Sequence, residues 1–343
     1  MLQFVLQKLA RLLAVLTGVL LITFLLMHAV PGNPWNNFSP SARAMTNVDI
    51  NTSMQRELNR RFGLDLPLWR QFTRYVIGDW DEKGAFFCGA VCGNLGLSTS
   101  QRGRSVQDVL FAPPEGRGFW ESRFGYSLRL VLFGGAIVVG LGIPLGLLSA
   151  LRPNSRLSRF ISIGLAGLIS VPNFILGLLA MIGLASWLKI IKVLPDWHNP
   201  GDWVVPALVL AVMPLAALAR ITRATVLNTL GEAYVRTARA KGASQARVML
   251  VHVLRNALVP VITFLGPLVI EMFAGMLVVE NLYGFPGFGR QFWDSILKLD
   301  YPMILGLVLI YATGIVLVNL LIEMVCEVLD PRIRANKQPG SLG

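Results

Sequence analysis

The sequence predicts an all-α polytopic membrane protein with six transmembrane helices and a small external domain after the first of them. Two observations carry that class. Of the 343 residues, 54% are hydrophobic and only 15% charged, outside the usual range of soluble domains. The charges are also bunched, leaving long runs of the roughly 20 apolar residues needed to cross a bilayer core. A third observation sets the internal organisation: a basic, helix-patterned stretch, 229–258, interrupts the apolar runs. The net charge of +12 fits Lys and Arg retained on the cytoplasmic face better than a nucleic-acid partner.

Taken in order, the first span runs from Leu12 to Val30 behind Lys8 and Arg11, too long for the apolar region of a signal peptide. Pro31-Gly-Asn-Pro34 ends it with two helix breakers. The segment 32–123 is polar and mixed in charge, with short amphipathic helices expected over Met54–Phe62 and Leu68–Ile77 and a Gly-rich loop over Gly84–Gly103. The second span, Tyr126–Leu151, contains Gly140, Gly142 and Gly146. No strand precedes them, so they are read as close-packing positions rather than a nucleotide loop. The third span is expected over Phe160–Leu188, with Pro172 part-way along it freeing a carbonyl that a neighbour must satisfy. Trp187, Trp197 and Trp203 around the following link suggest a headgroup interface. The fourth span, Trp203–Ala219, extends as a helix past Arg220 and Arg223. The fifth is Val259–Val279, followed by a Gly/aromatic turn read as re-entrant or gating, and the sixth is Met303–Val325.

Six spans put both termini on one side, together with the Arg152–Arg159 turn and the Arg220–Arg255 stretch, which hold most of the loop charge. The count of Lys and Arg in short loops therefore places the termini and 229–258 in the cytoplasm and 32–123 outside. Within 229–258, Glu232–Lys241 is rich in good helix formers. Gly242 suits a left-handed C′ position, Ser244 can cap a second helix, and Pro260 marks the return to lipid. Three readings apply to this basic pair: a polybasic lipid contact, a nucleic-acid or calmodulin-like target, or a docking element for a cytoplasmic protein. Its own apolar residues (Tyr234, Ala238, Val248, Leu250, Leu254) imply that it folds, which favours docking.

Glu232-Ala-Tyr followed by Gly242, and Tyr234-Val-Arg-Thr-Ala-Arg-Ala-Lys-Gly242, resemble the EAA loop of ABC-importer permeases, most closely the dipeptide/oligopeptide/nickel family. The resemblance extends to Pro31–Pro34, Phe62–Pro67, Gly93-Asn-Leu-Gly96, Val279-Glu280, Phe285-Pro-Gly-Phe-Gly289, Asp300-Tyr-Pro302 and Leu329-Asp-Pro-Arg-Ile-Arg334, nearly the whole chain. It implies a first helix over 1–31, an external segment over 32–123, an ABC transmembrane domain over 124–328 and a cytoplasmic tail over 329–343. It also implies a coupling helix at Glu232, Ala233, Tyr234, Arg236, Arg239 and Gly242 that sits in a cleft on an ATPase. The partners implied are a second permease subunit in a heterodimer, two cytoplasmic ABC ATPases, an extracytoplasmic solute-binding protein and the bilayer of a bacterial or archaeal plasma membrane, with no nucleic acid. The chain has no G-x-x-x-x-G-K-[ST], so it cannot itself cradle ATP phosphates in a P-loop. The resemblance implies a transporter subunit that is no enzyme by itself, with ATP and Mg on the partner ATPase and no cofactor or metal expected here.

Two features do not come from the family pattern. Cys88 and Cys92, beside Phe86 and Phe87, form a C-x₃-C pair: a disulfide if the loop is external, whereas scattered His residues argue against a metal site. Glu271 lies inside the fifth span, where an ionisable group is expensive. It either lines the pore and attracts a cationic group, or it pairs with Arg129 or Arg220, or it is protonated against lipid. A secondary transporter would need inverted repeats, and an intramembrane enzyme a catalytic pair; the sequence displays neither.

Overall fold

The computed structural model describes residues 2–29, 63–80, 86–101, 104–192 and 195–329. The helix expected over Met54–Phe62 and the motifs at Pro31–Pro34 and beyond Leu329 lie outside the described residues. The chain divides into two compact units, one built from 1–125 and 291–314, the other from 126–290 and 315–343.

In the first unit, α1 (Leu2–Ala29) buries Leu20, Phe24 and Met27 against Ile304 and Leu305. A short helix α2 (Leu68–Val76) follows Pro67, whose lack of an N–H costs nothing at a helix start. It leads into a two-stranded antiparallel hairpin, β1 (Gly78–Trp80) with β2 (Phe86–Cys88), in the register Gly78↔Cys88 and Trp80↔Phe86. That hairpin was not foreseen in the Gly-rich segment: three-residue strands are too short to show an alternating pattern. Asp79 accepts from the Trp80 amide at 2.9 Å and from Arg70 at 3.2 Å. The Trp80 amide bond above all holds its carboxyl below the ordinary aspartate value. Cys88 and Cys92 are joined by a disulfide that closes the turn after β2. Helix α3 (Val106–Phe111) is capped by Ser105, whose hydroxyl accepts from the Asp108 amide.

In the second unit the long helices do the packing. Helix α4 (Arg123–Leu151) and helix α5 (Arg156–Ile169) run beside α7 (Val204–Leu230). Helix α7 is the most enclosed of the apolar helices, because Ala207, Ala211, Ala216 and Ala219 let neighbours approach its backbone. The close-packing reading of the α4 glycines holds at two of three positions. A Cβ at Gly142 would stand 3.2 Å from the Leu215 carbonyl, and one at Gly146 would stand 2.6 Å from Thr222 Cβ, whereas Gly140 has open space around it.

Among the described residues five helices are long and apolar enough to cross a membrane, or six if a bent pair counts as one span. That pair corrects the expected continuous third span. Helix α5 stops at Ile169, and α6 (Asn173–Ala180), extended by a π-helical run to Trp187, starts again at an angle of 99°. Pro172 removes an amide and pushes Val171 out of the helical region, so the break falls before it. The fifth span is longer than expected: α9 runs unbroken from Gln245 to Leu282, with Pro260 inside it rather than at its start. Helices α10 (Phe288–Leu297) and α11 (Tyr301–Leu329) are the last among the described residues.

Candidate functional site

The basic pair forms where α7 ends. Gly231 breaks the helix, and Glu232, with extended φ and ψ, is the N-cap of α8 (Ala233–Ala240). The C-terminus closes as a Schellman turn: Gly242 N–H donates to the Arg239 carbonyl at 3.0 Å and Ala243 N–H to the Ala238 carbonyl at 3.2 Å. That turn needs the φ of +83° found at Gly242, which a side chain would resist. Ser244 Oγ then accepts the Arg247 amide, starting α9. The left-handed Gly242 and the Ser244 cap are both as the sequence predicts.

Helix α8 has two faces. Val235 is fully buried with Val248, Val253, Ala257, Val226 and Ala150. Glu232, Ala233, Arg236, Arg239 and Gly242 are exposed. Among the described residues neither Arg236 nor Arg239 forms an ion pair. Tyr234 is also exposed, but its hydroxyl accepts from Asn256 at 2.8 Å and fastens α8 to α9. The set expected to fold the pair is therefore corrected in part. Val248 is buried and Ala238 packs against the cluster, but Leu250 is 65% exposed, and Val235 and Val253 take the enclosed positions. The physical reason is the π-helical run over Val248–Leu254, which brings position i+5 rather than i+4 back to the same face.

At the other end of α9 a second constellation appears. Glu280 is fully buried; its Oε1 accepts from Ser127 Oγ at 2.5 Å and its Oε2 from the Gly289 amide at 2.6 Å. Ser127 Oγ in turn accepts from the Phe288 amide at 2.7 Å. A Cβ at Gly287 would strike this carboxylate, and one at Gly289 would sit 2.7 Å from Leu277 Cα, which explains the glycines of the Phe285–Gly289 motif. Phe285 is enclosed by Trp197 and Trp203, with ring centroids 4.3 and 4.8 Å away. Trp203 is thus enclosed in an aromatic cluster at 6% exposure, while Trp187 is 80% exposed.

In the first unit Asp300 is the equivalent anchor. Fully buried, it accepts from Ser98 Oγ at 2.5 Å, Ser100 Oγ at 2.6 Å and the Thr99 and Ser100 amides at 3.1 Å. The sequence pointed to Val279-Glu280 and Asp300–Pro302 as motifs, but Ser127, Ser98 and Ser100 went unnoticed. The available signal was weak: a serine at the start of an apolar helix, and a Ser-Thr-Ser run after Gly96.

Glu271 is half-buried on α9 and makes no hydrogen bond or ion pair among the described residues, so neither Arg129 nor Arg220 is its partner. Arg129 instead lies over Tyr126 and Trp203, 4.8 and 4.5 Å from the ring centroids. No group of His, Cys, Asp and Glu able to hold a metal is present among the described residues.

Comparison with known proteins gives these features a family. The model described as "Binding-protein-dependent transport system inner membrane component" matches residues 142–335, which include the basic pair, Glu271, Glu280 and Asp300. The chain is 32% identical to the dipeptide transport system permease protein DppB of Escherichia coli K12, covering 98% of this chain and 100% of that one. It is 33% identical to the protein of the same name from Bacillus subtilis, with coverages of 98% and 100%. It is 31% identical to the oligopeptide transport system permease protein AppB of B. subtilis, with coverages of 96% and 98%. Relatives aligned from end to end, and a family match running from the middle of α4 past the last span, make this multi-pass chain a member of the binding-protein-dependent transport system inner membrane component family.

Proposed function

We propose that the chain is the permease subunit of an ATP-driven importer, forming half of the pore for peptides or a related small solute delivered by an extracytoplasmic binding protein. The similarity to dipeptide and oligopeptide permeases supports the substrate class. A second permease chain, as a heterodimer, forms the other half of the pore. Two cytoplasmic ATPases bind the ATP and Mg, and both termini lie with them in the cytoplasm.

One observation carries the reading. Helix α8 presents Glu232, Arg236 and Arg239 outward, while Val235 on its opposite face is locked into the core. Guanidinium groups that form no ion pair among the described residues suit carboxylates on another subunit. A short helix fixed to two long ones transmits a push as a rigid-body displacement rather than absorbing it. Glu232, Ala233, Tyr234, Arg236, Arg239 and Gly242 are the coupling residues in this proposal, with Tyr234 holding the helix in place. Glu271 lines the pore.

The test is co-purification. The full chain carrying Arg236→Glu and Arg239→Glu, co-expressed with the other transporter subunits, should reach the membrane at wild-type level yet lose the ATPase subunits and solute uptake. Retention of the ATPases together with normal uptake would remove the coupling assignment.

A further inference from the structure

Between α4, α5 and α7 lies a groove of about 340 Å³, and it belongs to none of the constellations above. Its walls are apolar, formed chiefly by Leu165, Ala166 and Ile169 of α5 and Leu227 of α7. Among the described residues, Arg220 and Arg223 are the charged side chains that line it, and Ser149 and Ser162 are its other polar residues. Arg223 donates to Ser162 Oγ, and among the described residues neither arginine forms an ion pair. Two guanidinium groups beside an apolar trough therefore have no counter-charge among the described residues.

Their depth is set by the helix. Arg220 and Arg223 stand 16 and 19 residues beyond Val204, the first residue of α7. At about 1.5 Å per residue that is about 24–29 Å, close to the hydrocarbon thickness of a bilayer. The polar turn over Pro200–Trp203 at the start of α7 marks one boundary. The two arginines then fall near the other, on the side of Arg152, Arg156 and Arg159. From that level the trough follows α5, whose outer face is apolar and open, with Phe160 77% and Ile163 66% exposed. Basic pockets between transmembrane helices at headgroup depth fit anionic lipid headgroups.

We propose that this groove is a binding site for an anionic glycerophospholipid, its phosphate held by Arg220 and Arg223 and one acyl chain laid along Leu165, Ala166 and Ile169. A zwitterionic lipid would leave the second guanidinium without a counter-charge. A free phosphate would leave the apolar wall uncovered. The lipid also sits at the base of α8, because α7 runs from Arg223 to Leu230 and directly into Glu232.

Native mass spectrometry of the full chain in detergent, titrated with phosphatidylglycerol or phosphatidylcholine of matched acyl chains, tests the site. Near a charged surface each Lys or Arg is worth about fivefold in affinity, so a preference for phosphatidylglycerol of roughly 25-fold is expected. Arg220→Gln with Arg223→Gln should reduce it to about twofold, while the double Lys variant retains most of it. Ala166→Trp, which fills the trough and leaves the charges in place, should weaken phosphatidylglycerol retention by itself and keeps the test alive if the double Gln variant does not insert. Arg152→Gln with Arg156→Gln should change nothing. The proposal falls if the preference survives the double Gln variant or Ala166→Trp, if the Arg152/Arg156 variant abolishes it equally, or if inorganic phosphate displaces the lipid.

Discussion

Gly242 offers a graded perturbation of the turn between α8 and α9. Its φ of +83° lies in the left-handed region, and a Cβ built there meets no atom within 4 Å. A substitution therefore acts through the backbone dihedral alone, without a steric clash to confuse the reading. Alanine in that region costs about 1 kcal/mol relative to glycine, and asparagine less, since its side chain tolerates the left-handed conformation. Proline is a different case. Its ring fixes φ near −65°, and it removes the amide that donates to the Arg239 carbonyl at 3.0 Å, so the turn cannot form. If the turn sets the angle at which α8 meets an ATPase, ATP-dependent uptake in proteoliposomes should rank Gly, Asn, Ala, Pro. Alanine should lose up to about fivefold, the factor equivalent to 1 kcal/mol, and proline nearly all uptake. Membrane insertion should remain constant, because Gly242 is exposed and the buried cluster around Val235 does not include it. Wild-type uptake by Gly242→Pro, or an asparagine variant worse than alanine, would refute the reasoning.

Three further outcomes are expected. Glu280→Ala leaves Ser127 Oγ and the Gly289 amide buried without their acceptor; at about 1.5–3 kcal/mol for each bond to a charged group, the detergent-solubilised chain should lose roughly 3–6 kcal/mol in thermal unfolding, and an unchanged Tm would show that the carboxylate is not the anchor. Glu271→Gln should reduce uptake of cationic peptides relative to anionic ones, and an unchanged ratio would take Glu271 out of the pore. The Asp79 carboxyl is held below its ordinary value, so the stability it gives the hairpin is present above the unfolded-state pKa of about 3.9 and is lost as pH falls through the lower folded value. Asp79→Asn should flatten the acid limb of protease sensitivity in that hairpin; a limb of unchanged steepness would exclude this role.

The membrane class, the extent of most spans and the left-handed turn at Gly242 were legible because each rests on a local rule: apolar length, helix propensity or capping chemistry. What escaped were features set by the shape of the backbone or by partners distant in sequence. The 99° break in the third span needs the geometry around Pro172, which composition signals only as a freed carbonyl. The apolar residues of the basic pair signalled that it folds but not which of them are enclosed, because a π-helical run over Val248–Leu254 changes which positions share a face. The Ser98–Asp300 and Ser127–Glu280 bonds join residues 202 and 153 positions apart, and no short motif contains both ends.

These carboxylates also refine how an acidic residue in an apolar chain should be read. Depth in an uncharged run singles out Glu271, whereas Glu280 and Asp300 at the helix ends enter the sequence reading only as parts of motifs. Burial runs the opposite way: Glu280 and Asp300 are fully enclosed, while Glu271 is only half-buried. The difference lies in satisfaction. Glu280 and Asp300 each accept charge-assisted bonds from a serine hydroxyl and backbone amides, which offset the cost of desolvation and pin a turn in one conformation. Such groups are spent on structure. Glu271 has no bond of this kind among the described residues, so nothing there offsets the cost of its charge, and it must face water, meet a counter-charge outside the chain or be protonated. The lack of a structural partner, more than depth in the span, is what the proposed pore-lining role of Glu271 rests on.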